Sequence, residues 1–160
     1  RVEQEEPLGV LSTHIYSDGS LSDLICVPGG IGKTGVNKKD IDDKKYFIKM
    51  SGNATFKVAV KRMTDVIREA LVFNDLSMED VAILVPHQAN QRIIRAVAER
   101  LEYPMEKVFM NIHKYGNTSG ASIPIGIDEA KRSGRIKPGE TSVLGAVGAG
   151  LTWGSAVIKW

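Results

Sequence analysis

Cysteine is nearly absent from this sequence: Cys26 stands alone among 160 residues. A single thiol excludes an intrachain disulfide framework and leaves too few sulfur ligands for a zinc site, which fits a reducing compartment and makes the cytoplasm the expected location. An excess of charge of either sign is missing too, since 21 basic and 19 acidic residues leave a formal net charge of +2. That balance selects neither nucleic acid nor a membrane surface as a partner, so any basic docking surface has to be local. No apolar run approaches the roughly 20 residues that a membrane-spanning helix needs. The opening RVEQEEP has no initiator methionine, basic leader or apolar signal core, so the chain is expected to be a fragment, a processed product or one segment of a longer polypeptide.

What is present is the make-up of an ordinary globular domain, 42% apolar and 25% charged, at a length that suits one packed unit. Residues 8–27 read as two strands joined at Ser17–Ser20, a hairpin, and residues 28–45 as turns and solvated loop. Phe56, Val60, Met63, Ile67 and Leu71 recur at helical spacing and predict an amphipathic helix. Ser77–Asp80 has the form of a capping box before the short apolar strand Val81–Val85. Helical spacing returns over 91–101, followed by an expected strand over 108–112, the loop KYGNTSG, a helix over 121–132 with Pro124 in its first turn, and two β segments over 141–160. Alternating strands and helices specify an α/β layered domain whose ligands approach the carboxyl ends of the parallel strands.

His87, in VPHQAN, lies just past one such strand end. A histidine closing a strand is often only hydrogen-bonded structure, but Pro86 before it and amide side chains after it suit an imidazole held in one orientation. Asn117, in KYGNTSG, reads as a turn asparagine by itself; paired with His87 it becomes a second donor able to converge on one oxygen. GAVGAG, residues 145–150, lacks the G-x-G-x-x-G spacing and is followed by a strand, and GGIGKTG, residues 29–35, lacks phosphate-loop spacing, so neither is read as a nucleotide site. Cys26 reads as a small structural hydrophobe, His14 as a residue on the polar face of its strand, and His113 as a bland neighbour of an apolar run; none has partners at metal-ligand spacing.

MSGNATFKVAV, VPHQANQRII, KYGNTSGASIP, GRIKPGE and GAGLTWGSAVIKW together resemble the second half of the β-ketoacyl-acyl carrier protein synthase III family, and the weaker likeness of LGVLSTHIYSDGS extends this nearly to residue 8. The resemblance implies a thiolase-like α-β-α-β-α fold, with residues 1–49 closing the first half and 50–160 forming the second. It also implies a homodimer, and a nucleophilic cysteine on the first half rather than at Cys26. By the same resemblance His87 and Asn117 are catalytic, meeting the oxyanion formed when malonyl-acyl carrier protein loses carbon dioxide. Gly52, Asn53, Phe56, Ala89 and Asn90 would line the pantetheine and CoA tunnel. Lys57, Gln88, Ala89, Asn90, Gln91 and Arg92 would dock the acyl carrier protein, with Arg95 and Arg100 adding charge and Glu99 subtracting it.

No cofactor or metal is implied, since acyl-CoA and malonyl-acyl carrier protein are substrates. Leu151 stands where the family carries an aromatic residue, which points to a changed acyl pocket. Two other readings stay open: a different thiolase-fold starter synthase, and a non-catalytic fragment that binds CoA or carrier protein.

Overall fold

The structure, a computed structural model, describes residues 8–29 and 35–160. Its frame is a four-stranded mixed sheet in the order β1–β6–β5–β4. Strand β4 (Val81–Pro86) runs parallel to β5 (Thr141–Gly148), while β5 is antiparallel to β6 (Thr152–Lys159) and β6 to β1 (Gly9–Ser17). Two further strands, β2 (Ile25–Cys26) and β3 (Lys49–Met50), form a separate two-stranded ribbon.

The apolar run of β4 follows from cover on both faces. Leu84 packs with helix α2 (Gly52–Phe73) and helix α3 (Gln91–Arg100) through Met63, Ile67, Ile94 and Val97. Ile83 and Val85 point the other way, to Phe109, Ile136 and Ala130 of helix α5 (Ser122–Arg132). A register shift between Val81 and Ile83 resets the alternation, so Val81 joins Leu84 on the α2 face. Glycine sets the closeness of both layers. A Cβ at Gly145 would lie 2.8 Å from Ile67 Cδ1, and one at Gly126 would lie 3.0 Å from Val85 Cγ1. No helix among the described residues is long and apolar enough to cross a membrane.

The expected helices over 56–71, 91–101 and 121–132 are present, as is the capping box, where Ser77 and Asp80 exchange hydrogen bonds ahead of β4. The hairpin is not. After β1 the chain makes a 3-10 turn over Gly19–Leu24, capped by Asp18, and β2 pairs with β3 instead. Strand β1, which precedes the expected boundary at residue 49, hydrogen-bonds along β6. The loop expected over 28–45 contains a short helix, α1 (Lys38–Asp42), capped by Asn37. Over 108–112 only Val108 bridges to Leu84, in the parallel sense expected of a crossover, and Ile112–Tyr115 forms a one-turn helix, α4. His14 faces α2 rather than solvent, its ring edge-on to Phe73 at 5.2 Å. RVEQEEP and residues 30–34 of the GGIGKTG stretch lie outside the described residues.

Candidate functional site

Strand β4 ends at Pro86, and the next residue is still tied to the sheet, because the His87 amide donates to the Gly145 carbonyl at 2.7 Å. The imidazole leaves the sheet there, partly buried, with Nδ1 2.5 Å from Ser122 Oγ. Burial pushes its pKa below the usual 6.5, so the ring is neutral at pH 7.

Its neighbour Gln88 turns the opposite way and is 1% exposed. The Gln88 amide nitrogen donates to the carbonyls of Pro86 (2.9 Å) and Phe109 (3.1 Å), and its oxygen accepts from the amides of Asn111 and Ile112 (both 3.1 Å). This clamp joins the end of β4 to the start of α4. Of the residues expected to dock the carrier protein, Gln88 is the one sealed in the interior, with its amide engaged at both ends.

Asn117 arrives from the other direction. Helix α4 ends on Gly116, whose φ of +69° turns the chain in the left-handed region that glycine tolerates. The Ser119 amide then donates to Asn117 Oδ1 at 2.9 Å, which leaves the amide nitrogen of this exposed side chain as the outward donor. Glu129 on α5 holds α4 in place, accepting from Asn111 Nδ2 (2.9 Å), the Tyr115 hydroxyl (2.7 Å) and Lys114 Nζ (3.2 Å). The Tyr115 hydroxyl, then Asn111 and Lys114, keep the Glu129 carboxyl below its usual pKa.

Ser122 closes the circuit between the two loops. Its hydroxyl lies 2.8 Å from the Ser119 carbonyl, contacts His87 Nδ1 and accepts from the Gln88 amide at 3.2 Å. His87 and Asn117 are therefore linked by an unbroken hydrogen-bonded chain through Ser122 and Ser119. Sequence reasoning missed Ser122, Ser119 and Glu129. A serine opening a helix reads as a cap and a mid-helix glutamate as solvated surface, so only tertiary placement reveals them.

The remaining candidates gather at the first turns of α2 and α3. Gly52 and Asn53 are exposed at the start of α2, whose N-cap Ser51 makes no side-chain cap bond. Phe56 sits one turn on, half-buried, with the Arg92 guanidinium 5.5 Å from its ring centre, a contact that joins the two helices. Ala89 is half-buried, and Asn90 caps α3 by accepting from the Arg92 amide at 2.8 Å. Lys57, Gln91, Arg92, Arg95 and Arg100 are exposed, as is Glu99. A cleft of about 490 Å³, bordered by Ser22, Asp23, Cys26, Lys49, Met50 and Ser51, runs up to the start of α2. Leu151 is 1% exposed in the α2-side core, with its backbone bonded reciprocally to Asp18 at 2.9 and 3.1 Å.

A mixed sheet covered by helices on both faces, with a neutral histidine and an outward-facing asparagine amide linked at one end of it, defines the class as a thiolase-like α/β half-domain. The family profile of the C-terminal region of 3-oxoacyl-[acyl-carrier-protein] synthase III matches residues 71–160, and the chain belongs to that family. The β-ketoacyl-[acyl-carrier-protein] synthase III of Alkalilimnicola ehrlichii is 51% identical over 98% of this chain and 47% of its own length. The crystal structure of the Aquifex aeolicus synthase III is 42% identical with a TM-score of 0.84, covering 99% of this chain and 46% of that one. A priming β-ketosynthase from the R1128 polyketide pathway is 28% identical with a TM-score of 0.81, covering 94% of this chain and 45% of its own. The chain thus spans about half the length of the relatives it matches.

Proposed function

We propose that this chain is the second half of a β-ketoacyl-acyl carrier protein synthase III and supplies its malonyl decarboxylation site. The observation that carries the reading is the hydrogen-bonded chain from His87 through Ser122 and Ser119 to Asn117, which holds a neutral imidazole and an amide side chain at one end of the sheet. The 51% identity to the Alkalilimnicola synthase favours this over the polyketide-type starter synthase, to which the likeness is weaker.

In this reading acetyl-CoA, or another short acyl-CoA, first acylates a cysteine on the other half. Malonyl-acyl carrier protein then binds, its carbon–carboxylate bond breaks, carbon dioxide leaves, and the electron pair moves onto the thioester oxygen. His87 and Asn117 donate to that oxygen. The enolate carbon next attacks the acyl-cysteine carbonyl, a carbon–carbon bond forms, the thiolate departs, and a 3-ketoacyl-carrier protein results. A preorganised donor of this kind is worth about 3–4 kcal/mol in the transition state.

Gly52, Asn53, Phe56, Ala89 and Asn90 would line the pantetheine passage, and Lys57, Gln91 and Arg92 would meet the acidic carrier protein. Cys26 is no candidate nucleophile, lying half-buried on β2 opposite Lys49 rather than at a helix start. The enzyme is expected to be a cytoplasmic homodimer that needs no cofactor.

The test is malonyl-carrier-protein decarboxylation by the full-length enzyme and its Asn117→Ala variant, with a fall of about 100- to 1,000-fold expected. An unchanged rate would remove Asn117 from the oxyanion role.

A further inference from the structure

Ser122 is 1% exposed and has one hydroxyl proton, yet two acceptors compete for it. One is the Ser119 carbonyl at 2.8 Å and the other is His87 Nδ1 at 2.5 Å. The Gln88 amide occupies a lone pair of the oxygen in either case. If the hydroxyl points to Ser119, Nδ1 must carry the imidazole proton and donate to Oγ, and Nε2 is bare. If it points to Nδ1, the proton sits on Nε2, which can then donate outward. The first arrangement satisfies every group, whereas the second leaves the Ser119 carbonyl without its donor. Ser119 is also the residue whose amide holds Asn117.

We infer that Ser122 is the positioning residue that sets which ring nitrogen of His87 bears the proton, and that it couples this choice to the Asn117 loop. The inference rests on the reading of His87 as an oxyanion donor. In the resting protein the proton is on Nδ1. Negative charge developing beyond Nε2 draws it there, the Ser122 hydroxyl turns to donate to Nδ1, and the Ser119 carbonyl is released. Burial of the ring supports this by disfavouring the doubly protonated form in which the choice would vanish. No proton is gained or lost in the exchange: Nδ1 gives its proton up to solvent, Nε2 takes one from solvent, and the Ser122 hydroxyl keeps its own proton and turns it from the Ser119 carbonyl to Nδ1.

The test uses the full-length enzyme with nitrogen-15 histidine labelling. Wild type should show His87 protonated at Nδ1 at pH 7.5, and Ser122→Ala should move the proton to Nε2, the form free imidazole prefers. Malonyl decarboxylation should nevertheless fall about 10- to 100-fold in kcat, because the alanine supplies the Nε2 proton but removes the Nδ1 partner that orients the ring, with KM within about twofold. Ser122→Thr, which keeps the hydroxyl, should recover most of the loss and the wild-type nitrogen shifts. Identical nitrogen shifts in wild type and Ser122→Ala would overturn the proposal, as would an unchanged kcat. A wild-type enzyme without condensation activity would sink the functional reading instead, and the nitrogen shifts would still decide the role of Ser122.

Discussion

Replacing Gln88 by alanine is the sharpest test of how the site is held. The substitution removes two donations to the Pro86 and Phe109 carbonyls and two acceptances from the Asn111 and Ile112 amides, at 2.9 to 3.1 Å. At a net value of about 1 kcal/mol per bond the loss is about 4 kcal/mol, and stranding the Asn111 amide, in a residue only 2% exposed, keeps water from easily replacing it. Hydrogen–deuterium exchange of the 109–112 segment in the full-length enzyme reads this directly. If the segment opens locally, about 4 kcal/mol corresponds to exchange roughly a thousandfold faster at Asn111 and Ile112, with distant amides of α2 little changed. Gln88→Glu keeps the acceptor pair but sets a carboxylate against two carbonyls, and should open the segment at least as far. Had Gln88 been a docking residue, Gln88→Ala would raise the KM for carrier protein and leave exchange within about threefold of wild type. That outcome would refute the clamp.

Four further outcomes follow from the same geometry. Gly145→Ala drives a Cβ to 2.8 Å from Ile67 Cδ1 and 3.2 Å from Met63 Cγ, and should cost about 1–3 kcal/mol, seen as a lowered melting temperature with the sheet retained in circular dichroism. The lowered pKa of His87 means that the unfolded chain binds more protons below the ordinary value of 6.5, so its stabilising contribution is complete above that pH and is lost as pH falls through the folded pKa. His87→Gln should therefore flatten the acid limb of the stability curve, and an unaltered slope would count against the buried neutral ring. Arg92→Glu should raise the KM for carrier protein and weaken its salt dependence with little change in the maximal rate, because an exposed charge acts on association. Finally, Ile15 (80% exposed), Ile48 (75%) and Phe47 (67%) leave apolar surface open, so the 160 residues alone should self-associate in light scattering, whereas a monodisperse monomer would contradict this.

Much of this fold is legible in the sequence wherever burial writes a period into it. Helix α2 announces itself through Val60, Met63, Ile67 and Leu71, and β4 through an unbroken apolar run that both helical layers cover. What failed was pairing. Residues 8–27 carry strand and turn signals that fit a hairpin, but which strand receives β1 is decided by β6, more than a hundred residues away. Val108–Ile112 is apolar enough for a strand, yet the Gln88 oxygen captures the Asn111 and Ile112 amides that a ladder would have used. At the site, His87 and Asn117 could be named because strand ends and glycine-flanked turns are local features. The groups that orient them, Ser122, Ser119 and Glu129, lie in other segments and leave no mark of their role in spacing or composition.

The shared proton of Ser122 carries a lesson for recombining such enzymes. Because one hydroxyl serves both loops, VPHQAN and KYGNTSGAS are not interchangeable cassettes. A graft that imports the histidine loop alone would bring in an imidazole whose protonation is dictated by a stranger, and substitutions in the two segments should show strong epistasis in double-mutant cycles.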